Sequence, residues 1–166
     1  ALSWLLTPAT VCLAIPLYTQ LRVLRKNWRA ILAGVAAGTA ASLGSIAVMA
    51  CLFGLDHTLY ISLLPKSITT AMGLALSEMY GGIAGVTTAA IIVTGIFGNC
   101  CGTWLCRLFR LQDPVAQGVA FGTASHVIGT TRAASISPVA EAVSSLSLVI
   151  AGLLTAVAFP PLASLL

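Results

Sequence analysis

Residues 30–55 and 83–105 each run without a charged side chain. At about 1.5 Å per helical residue, either stretch can cross the roughly 30 Å hydrocarbon core of a bilayer. In lipid every backbone N–H and C=O must be satisfied within the protein, so only helices and closed barrels can span. The alternation that a barrel strand needs is absent, which leaves helices. Composition agrees: of 166 residues, 58% are hydrophobic and 7% charged, and mean hydropathy is +1.03. Soluble domains average about 25% charged residues. The expected fold is an all-α polytopic membrane protein forming a single domain over residues 1–166.

Four apolar runs read as spans: Leu2 to Leu21, Ala30 to Leu55, Ile83 to Leu105, and Val139 to Leu166. The first carries Pro8 and Pro16. Small residues at helical spacing in the second, Gly34, Gly38, Ala41 and Gly44, favour close helix packing. Net charge is +4, and four of the eight cations, Arg22, Arg25, Lys26 and Arg29, cluster after the first run. That cluster reads as a cytoplasmic loop under the positive-inside rule, with the bilayer and not nucleic acid as the partner. The five cysteines (Cys12, Cys51, Cys100, Cys101 and Cys106) lie in apolar runs, form no CxxC pair, and read as small hydrophobes. The chain opens on Ala1, and residues 1–21 lack a basic leader followed by a cleavage site. The expectation is therefore a truncated N-terminus and no signal peptide.

Two polar stretches interrupt this pattern. One is Leu64-Pro65-Lys66-Ser67-Ile68-Thr69-Thr70, followed by a helical reading from Ser67, as a plausible N-cap, to about Tyr80. The other, Asp113 to about Ser137, contains Gly122-Thr123-Ala124-Ser125-His126 and Gly129-Thr130-Thr131-Arg132. Each sets a cation, hydroxyls and a helix breaker at membrane depth, where ionisable groups usually mark function. If the first stretch crossed the bilayer, Arg107 and Arg110 would emerge opposite the first basic cluster. If it is re-entrant, both basic clusters share the cytoplasmic side, as do Trp28 and Trp104, while Tyr60 and Tyr80 share the other. The re-entrant reading is preferred. Leu52-Phe53-Gly54-Leu55 also echoes Leu108-Phe109-Arg110-Leu111, and each is followed by a broken polar segment. About four full spans plus two broken or re-entrant polar helical segments are therefore expected. Two re-entrant segments would enter from opposite faces, as in the inverted repeats of secondary transporters.

Lys66 is the sharpest candidate, since a mid-membrane amine costs about 2.5–3.5 kcal/mol on insertion scales and needs a compensating group. Pairing with Glu78, or snorkelling to the surface, is the competing structural role. Arg132 suits a carboxylate with its planar fork, unless it is an interfacial anchor. His126 could carry a proton or pack as a hydrogen-bonded core residue. Ser67, Thr69, Thr70, Thr123, Ser125 and Thr130 could bond a ligand; singly, capping or interhelical bonding is the commoner use of such residues. Pro65, Gly122 and Gly129 act as structural breaks. Glu78, Asp113 and Glu141 lie near segment ends and read as solvated. No metal site is expected, because His126 has no ligand neighbours at metal-binding spacing. No catalytic constellation or cofactor is expected either: Ser125 precedes His126 directly, but there is no nucleophile elbow.

The segments LLPKSITTAMGLALSEMYGG (63–82), PVAQGVAFGTASHVIGTTRA (114–133) and PATVCLAIPLYTQ (8–20) closely resemble the LrgB/CidB family, over essentially the whole chain. The resemblance implies a multi-pass protein of the bacterial inner (cytoplasmic) membrane, with further hydrophobic spans expected ahead of the point where this sequence starts. It implies transport of small monocarboxylates of the pyruvate, lactate, glycolate and glycerate class, possible proton coupling, and a small LrgA/CidA-type membrane partner in a homo- or hetero-oligomer. The alternative it carries is a holin- or antiholin-like regulator of murein hydrolase export and cell lysis. Carried onto this sequence, it points to Pro65, Lys66, Ser67, Thr69 and Thr70, and to Gly122, Thr123, Ser125, His126, Gly129 and Arg132. The chain departs from the family pattern at Ala71, where Pro is common, and at Thr131, where Ala is. Ser135 and Pro138 stand where acidic residues are common, which makes Glu141 the substitute to test.

Overall fold

A computed structural model of the chain describes residues 18–164. The first helix, α1 (Leu21–Phe53), includes the whole basic cluster in its opening turns. Arg22, Arg25, Lys26 and Arg29, expected in a loop, are part of this helix. They are helical because Leu, Arg, Lys and Ala are strong helix formers and nothing from 21 to 33 breaks the run. One stripe of α1 is buried: Leu24, Ile31, Val35, Thr39, Leu43, Ile46 and Ala50. The helix ends at Gly54, whose left-handed backbone (φ 58°) suits glycine.

The chain continues as α2 (His57–Leu63), α3 (Thr70–Met79), α4 (Ala84–Leu108), α5 (Pro114–Ala134) and α6 (Pro138–Ala163). Capping fixes several starts. Asp56 accepts from the Thr58 N–H at 3.2 Å, Asp113 from Val115 at 2.7 Å, and Ser137 from Ala140 at 3.0 Å. Proline at the first position of α5 and of α6 sacrifices only an N–H that a helix leaves free. Ser67 is not a cap: α3 begins at Thr70 with Thr69 at its N-cap, because Ser67 lies in the preceding turn with its hydroxyl bonded elsewhere.

Glycine contacts set the helix directions. A Cβ on Gly34 would lie 3.0 Å from Val119 Cγ1, and one on Gly38 3.1 Å from Thr123 Oγ1. Equal steps of four make α1 and the start of α5 parallel. Gly118 and Gly122 likewise step along α6, against Ala140 and then Ser144 and Ser147. On α4 the order runs backwards: Gly102 meets Phe121, Gly98 meets Ser125, and Gly95 meets His126. So α1 and α6 leave the basic end of the molecule, and α4 returns to it. Trp28 and Trp104 are exposed towards that end.

Two chain reversals fill the space between these three helices. In α5 the backbone at His126 is non-helical (φ 44°, ψ −135°). Beyond it, Asn99 Nδ2 donates to the Ile128 carbonyl at 3.0 Å and Arg132 Nε donates to Thr103 Oγ1 at 2.7 Å, so the second arm now follows α4 back towards the basic end. A Cβ on Gly129 would lie 2.6 Å from the Phe121 carbonyl oxygen. In a continuous helix those residues would stand about 12 Å apart. The other reversal enters from the opposite end. Beyond α2 and the turn at Pro65, α3 runs back beside α4: Gly73 packs on Ile91, and Ser77 Oγ bonds Thr87 Oγ1 at 2.6 Å. The Ile83 N–H donates to Ser62 Oγ at 2.7 Å, closing the base of this hairpin. Tyr60, expected near the membrane surface, is fully buried, with its hydroxyl donating to the Leu162 carbonyl at 3.0 Å.

The echoed tetrapeptides form the same helix stop. Gly54 (φ 58°) and Arg110 (φ 55°) are both left-handed. The next N–H groups, of Leu55 and Leu111, bond back to Ala50 at 3.0 Å and Cys106 at 2.8 Å.

The chain is a helical multi-pass membrane protein: α1, α4 and α6 are long and apolar enough to cross a bilayer. The expected span from Leu2 to Leu21, with Pro8, Cys12 and Pro16, lies almost entirely outside the described residues. Cys51, Cys100, Cys101 and Cys106 are free thiols.

Candidate functional site

A cavity of about 530 Å³ lies where the turn of the first hairpin meets the first arm of the second. Pro65 is buried and sets the turn, and Lys66 and Ser67 project from it to the cavity wall. Lys66 Nζ donates to Ser42 Oγ at 3.1 Å and to Ser67 Oγ at 3.2 Å, and those two hydroxyls are 2.6 Å apart. Ser42 comes from α1, whose neighbouring Gly38 gives the second hairpin room to approach. Thr123 and Ser125 add hydroxyls from that hairpin, and Thr94 adds one from α4.

The electrostatics are one-sided. The chain has only four acidic residues. Asp56 and Asp113 cap helices at exposed sites, Glu78 is exposed at the far end of α3, and Glu141 sits in the first turn of α6. Among the described residues, the polar partners of the Lys66 ammonium are the two serine hydroxyls. Neutral oxygens orient a cation but do not neutralise it.

The other sequence candidates divide plainly. Thr69 and Thr70 are half-buried at the start of α3 and do not line the cavity. Thr130 Oγ1 donates to the His126 carbonyl at 3.0 Å and bonds Ser144 Oγ at 2.8 Å, tying the second hairpin to α6. Arg132 stands on the returning arm against Thr103, away from the cavity wall. Gly122 allows α5 to touch the Ser144 backbone, and Gly129 allows the two arms of α5 to touch.

His126 forms the vertex of the second hairpin. Its ring is buried and its Nε2 lies 2.9 Å from the Ile91 carbonyl oxygen. A carbonyl only accepts, so Nε2 carries the hydrogen. Gly95 makes room for the ring, since a Cβ there would lie 2.7 Å from Cε1. The backbone pays for this placement: φ 44° with ψ −135° is a glycine-favoured conformation that costs other residues on the order of 1–3 kcal/mol. His126→Gly should therefore unfold at a higher temperature than His126→Ala, by the equivalent of about 1 kcal/mol. Thermal unfolding of the two variants in detergent checks this order.

A family model described as the LrgB-like family matches residues 1–165. The chain belongs to the LrgB-like family. No solved structure matches it. In this LrgB-like chain, Ser42 was invisible to sequence reading because it looks like one more small residue in an apolar helix. Asn99 was missed likewise; it bonds the Ile128 carbonyl and Thr131 Oγ1 at 3.2 Å, supporting the second arm. A polar residue in an otherwise apolar span was the available signal. Beside the main cavity, Thr39, Ser42, Ser67, Thr123 and Thr155 surround a space of about 10 Å³, close to the size needed for one water. Thr39 Oγ1 has no protein partner there.

Proposed function

We propose that this LrgB-like protein carries small monocarboxylates of the pyruvate, lactate, glycolate and glycerate class across the bacterial inner membrane, working with a small LrgA/CidA-type partner. One observation carries the reading: Lys66 lines a cavity inside the helix bundle with hydroxyls as its polar partners, while the four carboxylates of the chain stand at helix ends. An anionic ligand supplies the missing charge. Lys66 binds the carboxylate, Ser67 and Ser125 offer hydrogen bonds to its oxygens, and Thr123, whose hydroxyl donates to the Val119 carbonyl at 2.7 Å, accepts from a hydroxyl of the substrate.

The architecture suits transport. Each half of the bundle has a spanning helix, a left-handed stop, an aspartate cap and a polar hairpin, and the halves run in opposite directions. We read this as an inverted repeat with its site where the repeats meet. Arg132 then stabilises the returning arm and does not hold the substrate. Arg132→Ala should keep uptake within about threefold of the parent while losing a hydrogen bond worth about 1 kcal/mol. Uptake kinetics and thermal unfolding, measured on the same preparation, test this.

The rival reading is a holin- or antiholin-like regulator of lysis. Full-length protein in liposomes separates the two. The transport reading expects saturable uptake of labelled pyruvate without dye leakage; dye leakage without saturable uptake would favour a pore.

A further inference from the structure

We infer that the opening turns of α1 form a binding stripe for anionic phospholipid headgroups in the leaflet at the basic end of the bundle. The stripe follows from helix geometry. Arg22, Arg25, Lys26 and Arg29 stand at positions i, i+3, i+4 and i+7 of one continuous helix. At 3.6 residues per turn they share a sector of about 100°, roughly opposite the buried Leu24 and Ile31. All four are exposed, and the row covers about 10 Å along the axis. In a loop the same residues would carry the same charge with no fixed spacing; on a helix they form a surface.

Their depth is fixed as well. The 33 residues of α1 make about 50 Å of helix, against a hydrocarbon core of roughly 30 Å. Its charge-free part begins at Ala30, so the excess length is the cationic turns. Trp28 is exposed there, as tryptophan at headgroup level usually is, and the Arg29 guanidinium lies 5.4 Å from its ring centroid. Further along the same face, Ala33, Ala36, Ala37 and Ala40 are exposed and apolar, which leaves the acyl chains of a lipid held at the cations an unobstructed path.

The charge is unmatched within the protein. Asp113 and Glu141 stand at this end, each at the start of a helix. Among the described residues, however, none of the four cations lies within salt-bridge distance of a carboxylate. Helix neighbours at i and i+4 are about 6 Å apart, close enough for two cationic side chains to share one phosphate. Arg22 with Lys26, and Arg25 with Arg29, make two such pairs. Phosphodiester anions are what a membrane supplies at this depth, and each cation meeting them strengthens association about fivefold.

The experiment titrates full-length protein in a neutral detergent with phosphatidylglycerol and, separately, with phosphatidylcholine, counting bound lipid by native mass spectrometry. Phosphatidylglycerol should bind the more tightly. Arg25→Gln/Lys26→Gln should weaken it about 25-fold, with the helix kept because glutamine is a comparable helix former. Arg107→Gln/Arg110→Gln removes the same charge from the same end of the molecule and should change binding by less than about threefold, since charges away from the stripe are screened. Equal affinity for the two lipids, or equal losses in the two variants, overturns the stripe. Displacement of bound phosphatidylglycerol by millimolar inorganic phosphate also overturns it, because the cations would then be a site for free anions.

Discussion

Lys66→Met is expected to lower kcat/KM for monocarboxylate uptake by about a hundredfold or more, the equivalent of roughly 3 kcal/mol of lost charge-assisted binding. The same substitution should leave the protein at least as stable as the parent. It removes a mid-membrane ammonium, costing about 2.5–3.5 kcal/mol on insertion scales, and puts an apolar chain of similar length in its place. The Ser42–Ser67 hydrogen bond does not need the lysine and remains at 2.6 Å. The signature is a loss of function with unchanged or higher thermal stability. If Lys66 were a structural anchor the signs would reverse, with stability falling and uptake per folded molecule surviving. Labelled uptake in proteoliposomes and thermal unfolding in detergent, on one preparation, read both quantities.

Gly129→Val should be the most damaging change in the second hairpin. The two arms of α5 touch backbone to backbone here: even a Cβ would lie 2.6 Å from the Phe121 carbonyl oxygen and 2.6 Å from Ser125 Cβ. A carbonyl in a helix cannot swing aside, so the arms must part. Overpacking of this kind costs about 1–3 kcal/mol, and more where backbone is the obstacle. The expected result is a melting temperature lower by roughly 5 °C or more, with uptake lost as Thr123 and Ser125 leave the cavity. Gly44→Ala is the control. Nothing lies within 4 Å of a Cβ there, and removing a mid-helix glycine should be neutral or slightly stabilising. Equal losses in both variants would mean the arms of α5 are not packed as described.

The sequence made the helical class legible, because uncharged runs of this length have few other solutions. It also pointed to a reversal in the first polar stretch, through the sharing of one end by Trp28, Trp104 and the arginines. What it could not show was which polar residues converge. Lys66 and Arg132 share a local pattern, each a cation beside threonines and a helix breaker. They differ because the chain turns at Pro65 before Lys66 has left the tip, whereas Arg132 follows the vertex at His126 by nearly two helical turns. The vertex itself was obscured because histidine stands where the conformation calls for glycine, and no local preference signals that. Ser42 was hidden for the opposite reason: a serine in a small-residue stripe looks like packing, and its role comes from a tertiary contact with Ser67. The basic cluster reads as a loop in the sequence because charge commonly marks a helix end. In fact α1, at 33 residues, simply outruns the bilayer core.

The account stands on a carboxylate occupying the space between the two hairpins, and thiol labelling at Ser125 examines that space directly. Ser125→Cys, in an otherwise cysteine-free full-length protein, would be treated with a charged methanethiosulfonate reagent, with and without saturating pyruvate. Ser135→Cys, at an exposed position between α5 and α6, serves as the reference. The account predicts that pyruvate slows labelling at position 125 and leaves position 135 untouched. Labelling at 125 that proceeds at one rate with and without pyruvate, or never proceeds at all, would contradict it.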